Sequence, residues 1–183
     1  MTVIKTLCDL SKEIDKHISG LNHNQEFDLL NVRSILERYQ GNDWLNYRPC
    51  ENCDKCQLTK KNYRRMPILL PSLYSKRYDF YLLVWKPQVE TGIHDHPENG
   101  CLLKVLDGEI CEERYSSEGQ MTKLTNLVPD DIGYMHNDIG YHKVMNLKDE
   151  VAYSLHIYSP PKYIPRVYQL DDLTPACRLE FSK

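Results

Sequence analysis

His94 and His96 stand one residue apart, Cys101 and Gly108 follow, and His142 lies further along the chain. Side chains of a strand alternate, so both histidines of His94-Asp95-His96 would project from one face. Their Cβ atoms would then sit about 6.6 Å apart, close enough for two imidazoles to converge on one ion. His142 could supply a third nitrogen from a neighbouring strand. Imidazole suits zinc, copper, iron and nickel, so the spacing names a metal site and leaves the metal open. The competing reading is a pair of exposed strand histidines.

Other residues carry weaker signals. Cys50, Cys53 and Cys56 form C-x2-C-x2-C, which could be part of a zinc or iron–sulfur site, but no fourth ligand is obvious. On a helix they would simply line one side. Arg65 ends a basic run from Lys60, and by residue type alone it reads as a surface charge. Trp85 reads as core, and His136 as a loop or barrel-rim residue that binds no metal.

Elements must position these groups. Leu7, Leu10, Ile14 and Ile18 have helical spacing, which predicts a helix over 7–18 with Gly20 as its stop. A second helix is predicted over 27–39, with Gly41 after it. From Tyr63 onward the pattern changes to short strands between Gly, Pro, Asn and Asp. Strands are predicted over 78–85, 100–106, 109–115, 123–128 and 151–158. Asp107-Gly108 between two apolar runs is a hairpin signal. The sum is a mainly β chain: a closed antiparallel barrel with helices at its N-terminal end, able to hold one small ligand inside. Ser154, His156 and Tyr158 would share one strand face and point inward together.

The chain has 183 residues, which fits one domain with a helical part over 1–60 and a barrel over 61–183. A net charge of −3 with no basic stripe argues against nucleic acid. No apolar run approaches a membrane span. Charges within the first nine residues argue against a signal peptide. Seven irregularly spaced cysteines suit a reducing cytoplasm better than a disulfide framework.

The run from Gly92 through His94, His96, Cys101 and Gly108 resembles the first motif of the cupins, which are metal-binding β-barrels. Cys101 stands where most cupins have a glutamate ligand. The second cupin motif has a counterpart in His142 and Asn146, with Tyr141 inserted after Gly140 and the usual proline missing. The segments IHDHPENGCLLKVLDGEI, NDIGYHKVMN and VAYSLHIYSPP resemble the cysteine dioxygenases, non-haem iron enzymes that oxidise a cysteine thiol to a sulfinate. The likeness runs from about Tyr63 to Tyr168.

That resemblance implies a jelly-roll-like cupin barrel holding Fe(II) on His94, His96 and His142, with a small thiol and O2 as substrates. Three neutral imidazoles would leave the full charge on the ion and favour an anionic thiolate ligand. The resemblance further implies that Arg65 and Tyr158 hold the substrate carboxylate and that Tyr63 lines the pocket. It implies that Cys101 can be joined to Tyr158 by a thioether, and that Ser154 and His156 orient the Tyr158 hydroxyl. Ser159-Pro160-Pro161 matches a segment where a cis peptide is frequent in the family. Arg166 is the competing guanidinium. The expected activity is oxidation of L-cysteine by a monomeric enzyme. The alternatives are another thiol such as 3-mercaptopropionate, a three-histidine zinc hydratase, or a non-catalytic metal-binding cupin.

Overall fold

The computed structural model describes residues 2–21, 27–49, 63–70 and 77–173. Cys50, Cys53 and Cys56 lie outside the described residues. Helix α1 spans Leu7–Ser19, and the Thr6 side chain caps it by accepting from the Asp9 amide. The second helix differs from expectation. A 3-10 turn over Leu29–Val32 runs into a short α2, Arg33–Glu37. The chain leaves the helix because the Arg38 carbonyl and the Gln40 amide bond to Ile4 instead, a parallel bridge to the N-terminal segment.

The strands are β1 (Tyr63–Pro67), β2 (Asp79–Trp85), β3 (Val89–Glu90), β4 (Ile93–His94), β5 (Cys101–Asp107), β6 (Ile110–Tyr115), β7 (Met121–Leu127), β8 (Ile132–Met135), β9 (Tyr141–Asn146), β10 (Ala152–Tyr158) and β11 (Val167–Tyr168). They form two antiparallel sheets. One has the order β1-β2-β10-β5-β8, and the other β11-β4-β9-β6-β7, with β3 also on β9. The barrel core joins them: Leu83, Trp85, Leu103 and Val105 of the first sheet meet Ile110, Leu127 and Val144 of the second. Among the described residues no helix is long and apolar enough to cross a membrane.

The central strands of the five-stranded sheet, β2, β10 and β5, are buried on both faces. The outer side of this sheet, with Phe80, Leu82, Val84, Leu102, Leu155 and Ile157, packs under Leu7, Leu10, Ile14, Leu29 and Leu36. This is why β2 and β10 read as nearly continuous apolar runs. Lys104, also on that outer side, is buried and sends its ammonium to the Tyr39 carbonyl and the Asp130 carboxylate.

Asp107-Gly108 forms the expected turn, and Gly108 has φ +73°, a conformation that favours glycine. It does not close a hairpin. β5 pairs with β10 and β8, whereas β6 pairs with β7 and β9, so the turn carries the chain from one sheet to the other. Glycine is needed for a second reason: a Cβ at 108 would lie 2.7 Å from the Ala152 Cβ.

Candidate active site

The two sheets bring different chemistry to the space between them. On the six-stranded side, His94 of β4 lies directly opposite His142 of β9. His96 completes the cluster, but not as a strand neighbour of His94. β4 ends at His94, and Pro97 brings no amide hydrogen to extend it. The Asn137 side chain replaces the missing ladder: it accepts from the His96 amide at 2.8 Å and donates to the His96 carbonyl at 2.7 Å. Asp95, between the two histidines, turns away from the cluster. It accepts from the Arg166 amide and from the Tyr163 and Tyr168 hydroxyls. Arg166 is thereby held by its backbone, with its side chain exposed.

The three imidazoles fit a metal ion. Their ligating nitrogens lie within 4.8 Å of one another. His94 Nδ1 donates to the Gly92 carbonyl at 2.9 Å, so its Nε2 carries a lone pair. His142 Nδ1 donates to Glu112 Oε1 at 2.8 Å, which bares its Nε2 as well. Those two lone pairs face each other across 3.1 Å with no proton between them, and a cation relieves that opposition. His96 Nε2 is 3.0 Å from His142 Nε2. Burial holds all three histidines below their usual pKa, and neighbouring imidazoles push His96 and His142 further down. Neutral imidazole is the form that binds metal.

Glu112 is a functional residue that the motif reading missed. It is 1% exposed, and Arg114 Nε holds its other oxygen at 2.8 Å. A carboxylate behind a ligand histidine fixes the tautomer and raises ligand basicity. The signal was available, because Ile110, Glu112 and Arg114 alternate along β6 and so share the face that carries buried Ile110.

On the five-stranded side, Ser154, His156 and Tyr158 do share the inward face of β10. Trp85 Nε1 donates to Ser154 Oγ at 2.8 Å, so this indole is more than core. Ser154 Oγ is 2.9 Å from His156 Nε2, and His156 Nδ1 is 3.2 Å from the Tyr158 hydroxyl. Trp85 can only donate. A chain running Trp85 to Ser154 to His156 to Tyr158 therefore gives the indole, serine and imidazole protons an acceptor each. In that chain His156 Nδ1 carries hydrogen and the Tyr158 O–H faces the Cys101 sulfur. Burial, then the Arg65 charge, pushes the His156 pKa down to about 3, so the ring is neutral. Burial and the neighbouring Cys101 push the Tyr158 phenol well up.

Cys101 of β5 is the cross-strand partner of Tyr158, and its Sγ is 3.9 Å from His156 Nδ1. Burial raises its pKa, which makes it a neutral thiol. It is not part of the histidine cluster. Tyr63 of β1 stacks on Trp85 with ring centroids 5.2 Å apart. The Arg65 guanidinium sits over two rings, 4.4 Å from the centroid of Tyr81 and 4.8 Å from that of Tyr158. Its Nε and Nη2 are buried and have no hydrogen-bond partner among the described residues. His136 bonds to the Glu98 carbonyl in a loop and lies outside the three-histidine cluster. The Ser159–Pro160 peptide is cis.

Fold and site together define a cupin-type barrel with a three-histidine metal site. A variant of Bacillus subtilis oxalate decarboxylase shares the fold with a TM-score of 0.51 at 20% identity, covering 67% of this chain and 30% of that one. The family model described as "Cysteine dioxygenase type I" matches residues 4–170, and the chain belongs to that family. It is 27% identical to cysteine dioxygenase type 1 of Bos taurus and 28% identical to that of Rattus norvegicus. Each alignment covers 86% of this chain and 76% of the relative.

Proposed function

We propose that the chain oxidises L-cysteine to cysteine sulfinate with O2, at Fe(II) held by His94, His96 and His142. The observation that carries this reading is the pairing of a three-imidazole cluster, which has no carboxylate member among the described residues, with a guanidinium whose Nε and Nη2 have no partner among them. When bound, iron supplies the charge that keeps a substrate thiol ionised and the redox chemistry that O2 needs.

The protein's own residues bind and orient. Arg65 presents a planar fork of donors to the substrate carboxylate, which suits bidentate binding. The Tyr158 hydroxyl, accepting from His156, donates to the same carboxylate. Burial between the sheets excludes bulk water and strengthens both contacts. The thiol sulfur loses four electrons and O2 gains four, so both oxygen atoms end on sulfur and no outside reductant is needed. Cys101 and Tyr158 are cross-strand partners, which supports a thioether between the sulfur and the phenol ring. That bond replaces one S–H and one ring C–H, the two electrons and two protons passing to O2 to give hydrogen peroxide, and fixes the phenol in place.

Oxygen uptake by iron-loaded protein tests the reading across L-cysteine, 3-mercaptopropionate and cysteamine. L-Cysteine is expected to be consumed fastest, with a product heavier by two oxygen atoms. Arg65→Ala should lose about 2–5 kcal/mol of transition-state binding for L-cysteine, because a carboxylate would be left without its partner. Preference for 3-mercaptopropionate would reassign the substrate. No uptake with any thiol would leave a metal-binding cupin without this activity.

A further inference from the structure

Buried N–H donors normally have acceptors, and Nε and Nη2 of the half-buried Arg65 have none among the described residues. It stands on β1, the edge strand of its sheet. The nearest acid on the inward face of β2, Asp79, is turned to the Lys162 amide. What faces the guanidinium instead is aromatic. Arg65 pairs with Leu83 and Pro67 pairs with Tyr81, which makes Arg65 and Tyr81 diagonal neighbours on one face of the sheet. The Tyr81 and Tyr158 rings meet edge to face at 75°, and the guanidinium carbon sits in the notch between them.

We propose that Tyr81 is a positioning residue for Arg65: its ring face holds the guanidinium over the site without occupying any N–H donor, and so selects for thiols that carry a carboxylate. A carboxylate partner at this place would also hold Arg65, but it would fill the fork and shut the substrate out. A π face attracts the cation through its quadrupole and leaves the donors in the guanidinium plane free. Tyr158 has other duties through His156 and Cys101, whereas the functional reading gives Tyr81 no task. The inference rests on the carboxylate reading of Arg65, and it concerns binding geometry and not the oxidation.

The test compares Tyr81→Leu and Tyr81→Phe with the unaltered protein, all iron-loaded. KM is measured for L-cysteine and for cysteamine, which has no carboxylate, and the affinity for each is measured by anaerobic calorimetry. Tyr81→Leu should weaken L-cysteine by about 5- to 30-fold in KM and in affinity, with cysteamine changed less than about twofold. Tyr81→Phe should stay within about twofold of the unaltered protein, since the ring face remains. Tyr81→Met serves as a second variant without a ring if Leu impairs folding. Equal weakening of both thiols, or an unchanged preference for L-cysteine in the variants without a ring, overturns the inference. A preference seen in calorimetry and lost in Tyr81→Leu, in a protein that consumes no O2, upholds the inference while the dioxygenase reading fails.

Discussion

The two sides of the barrel interior are finished to different degrees. On the six-stranded side His94 and His142 are each oriented from behind, by the Gly92 carbonyl and by Glu112, and His96 is pinned through its backbone by Asn137. On the five-stranded side the relay from Trp85 ends at the Tyr158 hydroxyl, and two Arg65 donors have no partner among the described residues. One wall sets three imidazoles around the place of an ion, with His96 Nδ1 buried and without a partner among the described residues. The other is complete apart from an anion. A site built to hold a metal alone would have no reason to leave two buried guanidinium nitrogens without a partner among the described residues.

The sharpest way to break the comparison is to damage the metal side alone. His142→Ala should remove most of the bound iron, measured by elemental analysis after dialysis, while circular dichroism shows the barrel still folded. Full iron occupancy would take His142 out of the site. Glu112→Gln is milder, because the amide keeps the shape and loses the charge behind His142. A 10- to 100-fold loss of metal affinity is expected, roughly the usual cost of removing such a partner. If affinity holds, the anion behind the ligand is ornamental.

Acid separates the walls differently. His156 is held neutral with a folded pKa of about 3 against a reference of 6.5. Above pH 6.5 neither state carries the proton, and its contribution to stability is complete. As pH falls from there toward about 3, the unfolded chain takes up a proton that the folded one refuses. Stability then drops by about 1.4 kcal/mol per pH unit for this group. The three ligand histidines of metal-free protein act in the same direction. Tm of metal-free protein should therefore fall from pH 7 to pH 5, and metal should restore part of it by mass action. A flat profile would mean that the folded protein accepts the protons. The smallest effect is expected from Cys101→Ser, which should keep its iron and work more slowly. Unaltered protein should become lighter by two hydrogens after turnover, and the variant should not. Finding only unlinked Cys101 and Tyr158 peptides in active, turned-over protein would remove the thioether and leave the dioxygenase reading intact.

How far the sequence disclosed this follows from where each signal resides. The histidines were legible because a short spacing and a family resemblance both mark them. The strands β2, β5, β6, β7 and β10 were legible within a few residues, since each carries enough apolar or β-forming residues to show. β4 and β11 were not, because a two-residue strand has no period to read. The same brevity undid the strand argument for His96, whose place depends on Asn137, a contact across 41 positions of sequence. The hairpin signal at Asp107-Gly108 specified a turn but not its partners, which are chosen by burial on both sides of β5. Tyr81 was hidden among 13 tyrosines. Only sheet register sets it beside Arg65.

The doubly covered sheet has a mechanical consequence. Leu155 and Ile157 are driven into the helical layer, while Ser154, His156 and Tyr158 alternate with them and face the site. The relay is thus mounted on a panel packed from its far side by the helical layer. Close-packed interiors transmit small volume changes instead of damping them. A methyl group lost from Leu10 or Ile14 in α1 would be felt first as a loosened backing and only then as a misplaced phenol.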